Sequence, residues 1–180
     1  MFAVDDLVSS CVECLDEASP QSAVADVLRE VMARPREVAD ALKPERAGIT
    51  LLYNTAELTL INVVWAPGMR LFAHDHRMWA TIAVYAGRED NEFFRRDAHT
   101  VVPSNGKTLG AGDVIMLGTE TIHAVANPAT VPTGGIHVYG GDFVKQPRSF
   151  WPPPDSIEAP YDNAIVGKLF DDANAAWVRG

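Results

Sequence analysis

Apolar residues recur at helical spacing through the first forty positions. Leu7, Val8, Cys11, Val12, Cys14 and Leu15 predict an amphipathic helix over residues 5–18. Ser19-Pro20 reads as an N-cap followed by proline at the first helical position, and Val24, Val27, Leu28 and Val31 give the second helix its apolar face. Pro35 opens a third, short helix through Val38, Ala41 and Leu42, which Pro44 ends.

At Gly48 the period changes. Ile49 to Tyr53 and Leu58 to Trp65 are rich in β-branched and aromatic residues and flank a hairpin-like break at 54–57. Pro67-Gly68 turns the chain into a run that holds His74 and His76 and is expected to continue as one strand through Trp79, Ile82, Val84 and Tyr85 to Gly87. Short strands follow at 92–96, 112–117, 123–127 and 135–140, with Asn105-Gly106 as a turn signal among them. Many short strands punctuated by Gly and Pro predict a mainly β sandwich or small barrel. Phe150-Trp151-Pro152-Pro153-Pro154 must be extended and is expected to strap across the barrel surface. Asp162 then caps a closing helix whose stripe is Ile165, Leu169, Phe170, Ala173 and Trp177. The expectation is one domain over residues 1–180, with helices in 1–46, a β-barrel in 47–148, and a strap with closing helix in 149–180.

The polar positions inside this pattern supply the chemistry. In a strand, alternate side chains share a face, so His74 and His76 point the same way, about 7 Å apart along the strand. Two imidazoles on one strand can chelate a metal if a third ligand arrives, and His123 is the candidate. Imidazole suits Fe, Zn, Ni and Cu alike, so the ligands alone do not choose the ion. His137 and Tyr139 share a face by the same alternation, either beside that site or as a buried pair satisfying each other. Asp75 faces away from its neighbouring histidines, Asn127 reads as a turn or cap residue, and His99 lies in a polar loop.

Composition narrows the partners. The chain has 180 residues and a formal net charge of -9, with 15 Lys plus Arg against 24 Asp plus Glu. No basic cluster offsets that balance, which argues against a nucleic-acid partner. No apolar run approaches the ~20 residues of a membrane span, and the N-terminus does not read as a secretory signal. Cys11 and Cys14 form a C-x-x-C pair on a predicted helix with no second pair, so buried thiols in a reducing, cytoplasmic setting are expected.

Gly68, five residues, His74-Asp75-His76 and then Gly87 resemble the first cupin motif; Gly112 through His123 to Asn127 resembles the second, with Gly118 in place of the usual Pro and Glu120 in place of the usual Gly. The resemblance implies a double-stranded β-helix (cupin, jelly-roll) barrel with a metal at its wide end. The carboxylate ligand commonly found four or five residues past the second histidine is absent, since Ala80 and Thr81 stand there. A three-histidine set is similar to that of the cysteine dioxygenase-like thiol dioxygenases, which hold Fe(II) and convert a thiol to a sulfinate with O2. Trp65, nine residues before His74, also matches that group, and His137-Val138-Tyr139 looks like two members of its Ser-His-Tyr relay. Gly135 stands where the relay Ser would be, no Arg near 50–53 matches the carboxylate-gripping one, and Thr81 stands where animal enzymes carry their cross-linking cysteine.

The resulting expectation is an enzyme that oxidises a small thiol with O2. His74, His76 and His123 hold Fe(II), with Zn, Ni or Mn as alternatives. Tyr139 is the proton donor and His137 supports it, while Tyr53, Arg70 and Trp79 are candidates to contact substrate, with Arg77 a second cation that could meet a carboxylate. Two other readings stay open: a hydrolase or isomerase using Zn, Mn or Ni, and a non-catalytic module in which a metal anchors a ligand. The chain is expected to be a monomer or homodimer.

Overall fold

The computed structural model describes residues 2–178. Three helices come first: α1 (Val4–Glu13, continued by a 3-10 turn at Cys14–Asp16), α2 (Pro20–Met32) and α3 (Pro35–Leu42). Among the described residues eleven strands follow: β1 (Gly48–Asn54), β2 (Thr59–Trp65), β3 (Arg70–Asp75), β4 (Ala80–Ala86), β5 (Arg88–Asp97), β6 (Thr100–Gly110), β7 (Val114–Leu117), β8 (Ile122–Ala126), β9 (Thr133–Tyr139), β10 (Ser149–Phe150) and β11 (Ala159–Pro160), and then α4 (Asn163–Trp177). All pairings are antiparallel, in two sheets ordered β1-β2-β9-β4-β7 and β11-β10-β3-β8-β5-β6. Among the described residues no helix is long and apolar enough to cross a membrane.

The central strands β2, β9 and β4 of the five-stranded sheet are buried on both faces, which is why β2 and β4 read as nearly continuous apolar runs. Ile61, Val63, Trp65, Ile82 and Val84 turn into the barrel. Leu60, Ala83, Tyr85, Ile136 and Val138 turn outward, onto Leu7, Cys11, Val24 and Leu28 of the helices. That alternation sends His137 and Tyr139 inward, because Ile136 and Val138 belong to the helix-facing layer. Cys11 and Cys14 are free, buried thiols, and burial pushes Cys11 up to about 12.

Three expectations are corrected. The histidine strand does not run on to Gly87: β3 stops at Asp75, the chain turns through Arg77 at φ 54°, and β4 begins in the other sheet. Asn105-Gly106 is not a turn. Both lie within β6, opposite Phe93 and Glu92, and a Cβ on Gly106 would come within 2.9 Å of the Asn91 carbonyl oxygen, so close strand approach is what needs the glycine. The closing helix buries Val166, Phe170 and Asn174, while Ile165 is exposed. Asp162 does cap it, accepting from the amides of Ala164 and Ile165. Asn174 bonds both the amide and the carbonyl of Ala47 at 2.9 Å, and Phe170 stacks on Trp65 with ring centroids 5.4 Å apart.

The segment expected as an extended surface strap joins the six-stranded sheet at the edge of β3, where Phe150 pairs with His74 and Trp151 is buried, and the chain then turns at residues 153–156. Asp75, 3% exposed, fastens it: one carboxylate oxygen accepts from the Ser149 amide at 2.7 Å, and the other meets Arg77 at 3.4 Å and Arg96 at 3.2 Å. Glu158 adds a second anion between the same two arginines. Arg77 is therefore engaged outside the barrel. Asp75→Ala leaves the buried Ser149 amide without its acceptor, and should cost about 2–3 kcal/mol in urea unfolding. Arg77→Ala removes a guanidinium that is itself half in water and leaves Asp75 paired with Arg96, so it should cost under about 1 kcal/mol in the same measurement.

Candidate metal centre

A bulge in β3 aims the first histidine. Leu71 pairs with Val125 and His74 with His123, so β3 carries one more residue than β8 over this span. Leu71 and His74 would otherwise point to opposite faces; the extra residue turns both inward. His76 lies just past the strand end, and its ring reaches back to within 5.1 Å of the His74 ring and 5.0 Å of the His123 ring. All three side chains are buried.

One nitrogen from each of the three lies within 4.8 Å of the other two. The Nε2 atoms of His76 and His123 are 3.3 Å apart. Two nitrogens each ~2.1 Å from one ion, at tetrahedral or octahedral angles, lie about 3.0–3.4 Å apart, so the separation suits a shared cation. The other ring nitrogens of two of them are occupied. His74 Nδ1 donates to the Phe72 carbonyl at 3.1 Å and His123 Nδ1 donates to Asn91 Oδ1 at 2.7 Å. Each therefore presents a bare Nε2 to the centre. Burial lowers His74 to about 4 against the pull of the Phe72 carbonyl, and the Arg148 charge adds to that lowering. Burial first, then the other histidines, hold His76 and His123 well below the ordinary range. All three are neutral near pH 7, the state in which imidazole binds metal. No carboxylate joins this group among the described residues.

The space beside the three rings is small, about 20 Å3, and is walled by Ile49, Ile61, Val63, Trp65, Leu71, Val125, His137, Tyr139, Phe143 and Tyr161. Tyr139 stacks on Phe143 at 4.1 Å and meets the His76 ring edge-on at 5.0 Å. Its hydroxyl lies 3.2 Å from His137 Nδ1, and burial keeps the phenol protonated. Of the residues expected to touch substrate, Tyr53, Arg70 and Trp79 do not line this chamber. Tyr53 and Trp79 pack on the helix side of the five-stranded sheet, with Trp79 lying over Gly140, and Arg70 is an exposed partner of Glu92 at 2.6 Å.

Two features escaped the sequence. The first is Glu89, fully buried on β5. Its Oε2 accepts from Trp65 Nε1 at 2.9 Å and its Oε1 accepts from Asn91 Nδ2 at 2.9 Å. Oε2 also faces His137 Nε2 at 3.7 Å, near the space a side chain at Gly135 would enter, since a Cβ there would lie 3.2 Å from that nitrogen. Burial alone would raise the Glu89 carboxyl, but His137, Asn91 and Trp65 reverse this and hold it below the ordinary carboxylate range.

The second is Arg148, in the segment leading to β10. Its guanidinium lies over the Phe143 ring at 3.8 Å and the Tyr161 ring at 4.1 Å, and one arm donates to the Phe143 carbonyl. Its buried Nε has no hydrogen-bond partner. Arg148 lines an outer groove of about 510 Å3 that meets the chamber at Ile61, Phe143 and Tyr161. Asn127, expected as a turn residue, is that: its amide donates to the carbonyls of Trp65, Ala66 and Val131 and ties two loops together.

No protein-family model matches the chain. Among solved structures it is similar to BH2720 from Bacillus halodurans, at 16% identity with a TM-score of 0.52, over 73% of this chain and 89% of the other. It is also similar to a cupin superfamily protein from Desulfitobacterium hafniense (15% identity, TM-score 0.45, 54% and 80% of the two chains) and to an RmlC-like cupin with a double-stranded β-helix fold from Methanocaldococcus jannaschii (12%, 0.45, 56% and 87%). The fold is a double-stranded β-helix barrel with helices at both ends.

Proposed function

We propose that this protein is an Fe(II)-dependent dioxygenase that converts a small anionic thiol to its sulfinate. The observation that carries the reading is a buried set of three neutral imidazoles with no acid among them. Such a set leaves the charge of a divalent ion uncompensated, so it favours an anionic ligand such as a thiolate. Fe(II) held there supplies the redox chemistry that lets O2 react with that sulfur, both oxygen atoms ending on it: R–SH + O2 → R–SO2H. The other readings use Zn, Mn or Ni as a Lewis acid, or use the metal as an anchor only.

The chain's own residues do the rest. His74, His76 and His123 bind the ion through Nε2. The apolar walls keep water from the reacting sulfur. Tyr139 has its ring against His76 and its hydroxyl 3.2 Å from His137 Nδ1; with Nδ1 as the donor, the phenol O–H is left to bond to an oxygen or sulfur atom of the reacting group. The arginine missing near residues 50–53 is replaced in this reading by Arg148, which lines the outer groove with its guanidinium packed on two aromatic rings. A ligand with sulfur in the chamber and a carboxylate in the outer groove would meet both cations.

The test is O2 uptake by anaerobically Fe(II)-loaded protein with cysteine, cysteamine and mercaptocarboxylic acids, with the product weighed by mass spectrometry. A gain of two oxygen atoms on one thiol is expected. Full iron occupancy with no O2 uptake on any of these thiols would overturn the reading. Tyr139→Phe should lower kcat about 100-fold with iron content unchanged.

A further inference from the structure

Glu89 is a buried charge that neither binds the ion nor touches the chamber, yet it is hydrogen-bonded to a partner of a metal ligand. We propose that Glu89 is a positioning residue that sets the hydrogen-bond polarity of the site: through Asn91 it fixes His123 as the Nδ1–H tautomer and leaves Nε2 bare for a cation. The inference rests on the reading of His74, His76 and His123 as metal ligands.

The polarity follows from which groups can donate. The Trp65 indole N–H is a donor and nothing else, so Oε2 of Glu89 must accept. An ionised carboxylate has no proton, so Oε1 must accept as well, and it does so from Asn91. A carboxamide has one donating end and one accepting end. With its NH2 end held by Glu89, Asn91 can offer His123 only its oxygen, 2.7 Å from Nδ1. His123 must then carry its proton on Nδ1.

Without the carboxylate, the Asn91 amide could turn by 180° and give its NH2 to His123. Nδ1 would become the acceptor and the ring proton would move to Nε2. That proton would lie on the 3.3 Å line to His76 Nε2, and the two histidines would bond each other in place of a cation. The same distance thus fits a closed state and a cation-ready state, and the acceptor two residues before Asn91 on the same face of β5 chooses between them.

The experiment is ring-15N NMR of the metal-free protein together with calorimetric Co(II) titration, on wild type, Glu89→Gln and the exchange Glu89→Gln with Asn91→Asp. In the wild type His123 should be the Nδ1–H tautomer. Glu89→Gln keeps the shape, but with its oxygen held by Trp65 it turns an NH2 toward Asn91. It should move His123 toward Nε2–H and weaken Co(II) binding 10- to 100-fold. The exchange restores every donor and acceptor between Trp65 and His123. The amide now at position 89 accepts from the indole and donates to the carboxylate now at position 91, which accepts from His123 Nδ1–H. Both tautomer and affinity should return to within a few-fold of wild type. A space-filling role for Glu89 would not be rescued this way. The inference is overturned by an Nε2–H tautomer in the wild type, by Glu89→Gln with tautomer and affinity unchanged, or by a folded exchange variant that stays impaired. A wild type that shows Nδ1–H and takes up no Co(II) overturns the metal reading alone, and leaves control of the tautomer by Glu89 standing.

Discussion

His123→Ala abolishes metal binding while the barrel stays folded. Removing one of three nitrogen ligands should cost more affinity than the 10- to 100-fold attached to loss of an outer partner, and no nearby acid stands ready to replace it among the described residues. The readout is thermal unfolding with and without metal. At a concentration 100 times its Kd, a metal stabilises the wild type by about 2.7 kcal/mol, which in a domain of this size is roughly 5–10 °C in Tm. That increment should vanish in the variant. The metal-free variant itself leaves the buried Asn91 Oδ1 without its donor, at a cost of about 1–3 kcal/mol. A variant that keeps the metal-dependent rise in Tm would place the cation elsewhere.

The parts of this molecule legible in its sequence are those whose spacing has a single physical cause. The amphipathic period set the three first helices, and β-branched runs set β1 and β2. His74, His76 and His123 were readable because few arrangements put paired imidazoles beside a turn glycine with a third in a second such context. The missed residues carry no period. Glu89 and Asn91 sit in the run Arg88-Glu89-Asp90-Asn91-Glu92, where no apolar residue marks a buried face. The available signal was parity: residues 89, 91 and 93 share a face, and Phe93 belongs inside. Asn174 interrupts an apolar stripe because its partner is the backbone of residue 47, far away in the chain. Tyr53 and Trp79 can be read as pocket wall or as core, because an aromatic near a site motif fits a pocket wall as readily as a helix interface. Only the three-dimensional layering, with helices on the outer face of the five-stranded sheet, separates the two.

Arg148 lies between Pro147 and Ser149 in irregular chain, where no pattern distinguishes a buried guanidinium from an exposed one. Its expected contribution is large and selective. A charge-assisted hydrogen bond is worth about 1.5–3 kcal/mol, and each 1.4 kcal/mol is a factor of ten. Arg148→Gln should therefore lower kcat/KM for a mercaptocarboxylic acid by roughly 10- to 150-fold. For an uncharged thiol of the same length it should change kcat/KM only a few-fold, because that ligand never used the charge. Arg148 also packs on Phe143 and Tyr161 and bonds the Phe143 carbonyl, so a general loosening of the groove is the competing explanation. Arg148→Lys separates the two. It keeps the charge and loses the planar fork, and should recover part of the activity toward the acid without altering that toward the neutral thiol. Equal losses on both substrates would mean that Arg148 shapes the groove and does not grip an anion, and the substrate would then lack a carboxylate at that position.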